Sequence, residues 1–145
     1  MSRRTSIVKA LTEKLKTING TAPYKTDLQE AAFSKLVFWD ETSNFPSVYV
    51  SPGSEVREYH PSDFKWGYLN LCVKAYCKGD ESQEQLEGLL EDIELCVDSN
   101  RVLIYDEVLG HETTEILITS ITTDEGLLAP YAIGEINLQV RYEIM

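Results

Sequence analysis

Side chains able to do acid, base or nucleophilic work near neutral pH are few here: His60, His111, Cys72, Cys77 and Cys96. A general base needs a partner within hydrogen-bond reach, and both histidines sit among turn-forming residues with no such partner apparent in the sequence. His111-Glu112 opens like a zinc-protease helix, but the second histidine is missing, because position 115 is Glu115. Ser54 follows Gly53 without the later glycine of a nucleophile elbow. Neither a Walker loop nor a G-x-G-x-x-G turn occurs, so nothing cradles phosphate. The three cysteines are an odd set without C-x-x-C spacing, which fits reduced, packed thiols better than disulfides or a zinc knuckle. No catalytic residue, no cofactor and no metal ligand is expected.

Carboxylates are the one dense chemical feature. Asp80, Glu81, Glu84, Glu87, Glu91, Asp92, Glu94 and Asp98 fall in one stretch without a Lys or Arg. The alternating carboxylates and glycine of a calcium loop are absent, so a solvated helix face is the expectation. Glu84, Glu87 and Glu91 repel one another by a few tenths of a kcal/mol per pair. That face is easier to keep if the N-terminal helix or a partner subunit sets a basic surface opposite.

The whole chain, 145 residues with 13 basic and 24 acidic side chains, carries a formal charge of −11. Residues 1–25 hold six basic side chains against Glu13, a net of about +5, which leaves about −16 on the rest. Phosphate gripping is disfavoured by that balance. A channel wall that DNA must slide past without sticking is served by it. The longest uninterrupted apolar runs, Leu36 to Trp39 and Val102 to Tyr105, are far short of a membrane span. Lys9 interrupts the apolar stretch behind Arg3 and Arg4, so no secretory h-region forms and synthesis in the cytoplasm is expected.

The elements that would position these groups follow from periodicity. Ile7, Leu11, Leu15 and Ile18 recur at helical spacing after a capping Ser2 or Thr5, and Asn19-Gly20 supplies a stop. From Asn19 to Phe45 no clean period emerges. Ser47 to Ser51 predicts a short strand ended by Pro52-Gly53, and Glu55 to Tyr59 a polar strand broken at His60-Pro61. Phe64 to Cys77 predicts a long strand with Leu69, Leu71, Val73 and Ala75 on one face. Ser82 with Gln85 resembles a capping box before the helical stripe Leu86, Leu89, Leu90, Ile93 and Val97. Val102 to Tyr105 reads as a short strand, the residues around Gly110 as a polar turn, and Thr113 to Thr122 as a β-branched strand. In the last strand Ile136, Leu138, Val140, Tyr142 and Ile144 alternate with Glu135, Asn137, Gln139, Arg141 and Glu143. The sum is one α+β domain over residues 1–145: a mainly antiparallel β-sheet with two α-helices packed on one face.

Two groups of apolar residues stand where a free monomer would normally expose polar ones. In DEGLLAPYAIG, residues 124–134, Leu127, Leu128, Tyr131 and Ile133 lie between turn-formers, and they either fold back on the core or form a patch for a neighbour. Trp39, Phe45, Trp66 and Tyr68 pose the same choice between strand-face packing and interface anchoring.

In order along the chain, RRTSIVKALTEKLKTING, YKTDL, FPSVYVSPG, FKWGYLNLCVKAY, LEGLLEDIE and ITTDEGLLAPYAIGEINLQVRYEI together resemble the tail-terminator, or tail-completion, proteins of bacteriophages with long non-contractile tails. The resemblance covers most of the chain, with residues 29–44 adding little. It implies a non-enzymatic structural virion protein that forms a ring, a hexamer, on the last ring of the tail tube, stops polymerisation and offers a surface to the head-side connector protein. Its partners would be copies of itself, the tail tube protein and the connector. DNA would be only passing cargo, and no membrane would be involved. Its place would be the head-proximal end of the tail, reached from the host cytoplasm during assembly.

By the same analogy Glu135, Asn137, Gln139 and Glu143 become pore-facing candidates, with Arg141 departing from an all-acidic wall. Glu55, Arg57 and Tyr59, with Leu127, Leu128, Tyr131 and Ile133, become candidates for subunit or tube contacts. A head-side neck ring remains an alternative, as does a small hydrolase or ligand-binding domain, which would need a deep pocket lined by titratable groups.

Overall fold

Alternation and helical spacing resolve into one six-stranded sheet with two helices in the computed structural model, which describes residues 1–144. The elements are α1 (Arg3–Leu15), β1 (Ala32–Phe33), β2 (Ser47–His60), β3 (Phe64–Lys78), α2 (Ser82–Asp98), β4 (Ile104–Asp106), β5 (His111–Thr123) and β6 (Tyr131–Ile144). Strand order across the sheet is β1-β2-β3-β6-β5-β4. Every pairing is antiparallel except the two-residue β1, which lies parallel to β2. The α+β class with a mainly antiparallel sheet is therefore the observed one.

Both helices cover the face that carries Leu69, Leu71, Val73 and Ala75 of β3 and Ile136, Leu138 and Val140 of β6, all buried. α1 is capped by Ser2, whose Oγ accepts from the Thr5 N–H at 3.1 Å. It buries Ile7, Val8, Leu11 and Leu15. α2 buries Leu86, Leu89, Leu90, Ile93, Cys96 and Val97. Each such aliphatic side chain removed from water stabilises the fold by about 1.5–3 kcal/mol. Gly134 lets α2 approach β6: a Cβ there would stand 3.0 Å from one Leu90 methyl and 3.2 Å from a Leu86 methyl.

Three local expectations are corrected. Pro52-Gly53 does not end a strand; it marks a β-bulge between Pro52 and Glu55, through which β2 runs on to His60. Proline is tolerated there because the strand lies at the sheet edge for that stretch, where its missing N–H breaks no ladder bond. Ser82 is not a capping residue, since the cap is Glu81, without a side-chain bond, and Ser82 is buried inside the first turn. The turn before Gly110 is not wholly polar, because it exposes Val108 and Leu109, at 95% and 67%.

Of the stretch without a period, 19–45, the later part, residues 29–45, wraps the end of the sheet. After β1 it crosses to the face opposite the helices, where Tyr76 donates its hydroxyl to the Val37 carbonyl at 2.6 Å. Trp39 and Phe45 pack on Tyr131, with ring centroids 4.9 and 5.7 Å away. Tyr49 and Tyr76 are buried beneath this cover. On this side a small aromatic core closes one end of the sheet and leaves the rest of the face open.

Candidate functional site

Alternation places Glu135, Asn137, Gln139 and Glu143 on the side of β6 that faces away from the helices. Three of them are half-buried and Glu143 is exposed. Register sets Tyr68, Asn70, Cys72 and Lys74 of β3 beside them and Glu115 and Leu117 of β5 beyond. This open face is polar but not uniformly acidic. Lys74 is ion-paired with Glu135 directly across the ladder. The Arg141 guanidinium sits over the Trp66 ring, its Cζ 4.0 Å from the centroid, which holds a cation against the wall. Asn137 donates to Ser120 Oγ at 2.9 Å. The surface is pre-organised by cross-strand contacts, with Lys74 paired to Glu135 and Arg141 held on Trp66.

The interface candidates separate by geometry. Register puts Glu55, Arg57 and Tyr59 on the helix side of β2, opposite Leu69, Gly67 and Lys65. The Glu55 side chain is only 5% exposed, accepts the Tyr142 hydroxyl at 2.6 Å and pairs with Arg57 Nε at 2.6 Å. Its carboxylate is thus used within the chain, while Arg57 and Tyr59 are exposed. Burial, and then the adjacent Glu55 carboxylate, push the Tyr142 phenol above its usual range. Gly67 makes room for that ring, since a Cβ at position 67 would come within 2.7 Å of it.

At the opposite end of the strands, Asp124 organises residues 124–133. Its carboxylate accepts from Gln83 Nε2, the Leu128 N–H and the Ile133 N–H, each at 3.1 Å. Partial burial would raise this carboxyl, but the three donors outweigh it and hold Asp124 below the usual carboxylate range. The loop so fixed throws Leu127 outward, 83% exposed, while Leu128 and Ile133 are half-buried and Tyr131 packs against Trp39 and Phe45. The two candidate segments therefore lie at opposite ends of the sheet. The Glu55–Tyr59 end also holds the turn before Gly110 and the last residues of β6, and Arg3 of α1 reaches the Glu143 carbonyl there at 3.0 Å.

The residues able to do chemistry are scattered. His60 Nε2 lies 2.7 Å from Glu58 on the exposed β2–β3 hairpin, and His111 lies beside Tyr105 at the other edge of the sheet. A cavity of about 660 Å³ is an open groove touching Arg3, Tyr105, Leu109, His111, Glu112 and Glu143. Among the described residues no group of three or more His, Cys, Asp or Glu stands close enough to hold a metal ion. Burial raises the thiols of Cys77, to about 12, and of Cys96, whose Sγ donates to the Lys14 carbonyl. Both behave as core side chains.

The acidic face of α2 meets one basic residue from the N-terminal region, Lys25, 3.0 Å from Glu91. Asp92 is buried at the margin of that face. It accepts the Thr26 N–H at 2.7 Å and the Lys25 N–H at 3.1 Å, which anchors the loop after α1. Three features have no counterpart among the expectations from the sequence: the Glu55–Tyr142 bond, the Asp124 hub and the exposed Val108-Leu109 pair. Only the last carried a visible signal, two adjacent aliphatics before a turn glycine.

The model of the family described as bacteriophage tail tube terminator protein matches residues 1–145. The tail tube terminator protein p142 of Escherichia phage T5 is 37% identical over 153 residues, covering 99% of this chain and 95% of that protein. A chain in the virion of a native gene transfer agent particle superposes with a TM-score of 0.64 at 10% identity, covering 99% of this chain and 100% of its own, which shows a shared fold. With the family model matching its full length, this chain belongs to the bacteriophage tail tube terminator proteins.

Proposed function

We propose that this protein is a non-enzymatic virion component that closes the tail tube as a hexameric ring at the head-proximal end, halts tube polymerisation and presents its outer surface to the head-side connector. The full-length family match carries this reading. The fold supports it physically: one sheet face is covered by helices, while the other is a polar wall whose Lys74 is paired with Glu135 and whose Arg141 lies over Trp66. Such a wall suits a lumen that DNA crosses, because it has no free row of cations to grip phosphates. Glu135, Asn137, Gln139 and Glu143 would line that lumen. Leu127 at one end, and the adjacent Val108 and Leu109 at the other, would be anchors toward tube and connector, exposed apolar side chains that a partner's surface would cover.

Growth of purified tail tubes followed by light scattering tests the reading. Adding this chain in excess over the roughly six copies that one ring per tube end requires is expected to arrest elongation at once, leaving ends that bind connector. Elongation at an unchanged rate, with the chain left in the supernatant after tubes are sedimented, would refute it.

A further inference from the structure

We infer that the two open edges of the sheet are the two halves of a single contact between copies, in which the outer edge of β2 in one copy pairs antiparallel with the outer edge of β5 in the next. This rests on the ring reading above and deepens it. β1 pairs with β2 only at Val48 and Tyr49, and the Arg4 guanidinium reaches the Gly53 carbonyl. Beyond these, Ser54 to His60 has no strand outside it among the described residues. At the other edge β4 covers β5 only at His111 and Glu112, with one further bond from the Thr113 N–H to the Leu103 carbonyl. Thr114 to Thr123 has no strand outside it among the described residues. Each stretch presents a row of backbone donors and acceptors, a template for another strand.

The polarity fits. β2 and β6 run one way and β3 and β5 the other, so a copy set beside its neighbour in the same orientation brings β5 against β2 antiparallel. The side chains fit as well. On β2, Val56 is 63% exposed on the open face and Tyr59 is 73% exposed on the helix side; on β5, Leu117 is 40% exposed on the open face and Ile121 is 42% exposed on the helix side. Each edge thus offers one apolar side chain to each side of the sheet, and joining the edges would cover all four. A two-fold β2–β2 contact would leave β5 open in every copy. Unlike edges joined head to tail satisfy both, and they close into a ring when the rotation between copies allows.

The open stretches are offset along the strands. Through the registers Glu55 stands level with Leu69, Val140 and Ile116, so the open part of β2 extends from that level toward one end and the open part of β5 toward the other. Full pairing therefore needs a stagger between neighbours. Closing a sheet into a barrel requires the same stagger, through strand tilt.

A photo-crosslinking residue at position 56 (Val56→p-benzoylphenylalanine) tests this in full-length chains assembled on purified tubes, with Leu117→p-benzoylphenylalanine as the reciprocal probe. Both sites are exposed, so folding should tolerate the ring. The expected products are covalent multiples of the chain mass, in which mass spectrometry joins position 56 to residues 114–123, and position 117 to residues 54–60, of a different copy. Products joining position 56 to β2 of another copy, or only to tube protein, would overturn the inference. So would tubes capped by the probe-bearing chain without crosslinks between copies, an outcome that leaves the terminator reading standing. Failure of the unmodified chain to cap tubes in the same assay would remove both.

Discussion

Tyr142 illustrates how far a single residue can be read from its neighbours in sequence. Its place on the apolar side of β6 was legible from alternation, but its bond to Glu55 joins strands β2 and β6, which are separated by β3 and far apart in sequence. No spacing rule reveals such a pairing. Tyr142→Phe removes the donor and leaves Arg57 as the remaining partner of a nearly buried carboxylate, so a loss of about 1–2 kcal/mol is expected, read as a lower urea midpoint with unchanged slope. Asp124 gives a pH-dependent case. Its folded carboxyl lies below the unfolded value of about 3.9, so its contribution is fully present above that pH and is lost as the pH falls through the lower folded value. Thermal unfolding of Asp124→Asn should accordingly show a lower midpoint than the parent at pH 6, with the difference shrinking toward pH 2.

At the scale of elements, periodicity carried most of the information because both helices and the central strands bury one face only. β3, α2 and β6 stand within a few residues of the spans their alternation or helical spacing predicts. Legibility failed where the physics is not periodic. The β2 bulge hides continuity behind Pro52-Gly53, residues that elsewhere make a turn. Residues 29–45 pack ring against ring across the end of the sheet, an arrangement set by tertiary contacts and not by spacing. The junction of α2 with β6 is the element contact most open to test. Leu90 is 4% exposed and its methyls sit over Gly134, so Leu90→Ala should open a cavity and cost about 2–5 kcal/mol by denaturant unfolding. Gly134→Val should destabilise by about 1–3 kcal/mol through overpacking at the same point.

Over the whole molecule, charge and apolar exposure sort onto separate surfaces. The outer face of α2 is acidic, the open sheet face is polar with its cations held by Glu135 and Trp66, and exposed aliphatics gather at the strand ends and sheet edges. The sequence indicated the acidic balance and the apolar loop at 124–134. It did not show that Glu135 is neutralised by Lys74, because Lys74 lies on the partner strand and only the register brings them together. The measurement that bears most directly on the account is an electron-microscopic reconstruction of the capped end of a tail tube. A closed ring of this chain is predicted there, with Glu135, Asn137, Gln139 and Glu143 turned to the lumen and α1 and α2 outside. A ring with the helices lining the lumen, or this chain bound along the tube wall with the end bare, would contradict it.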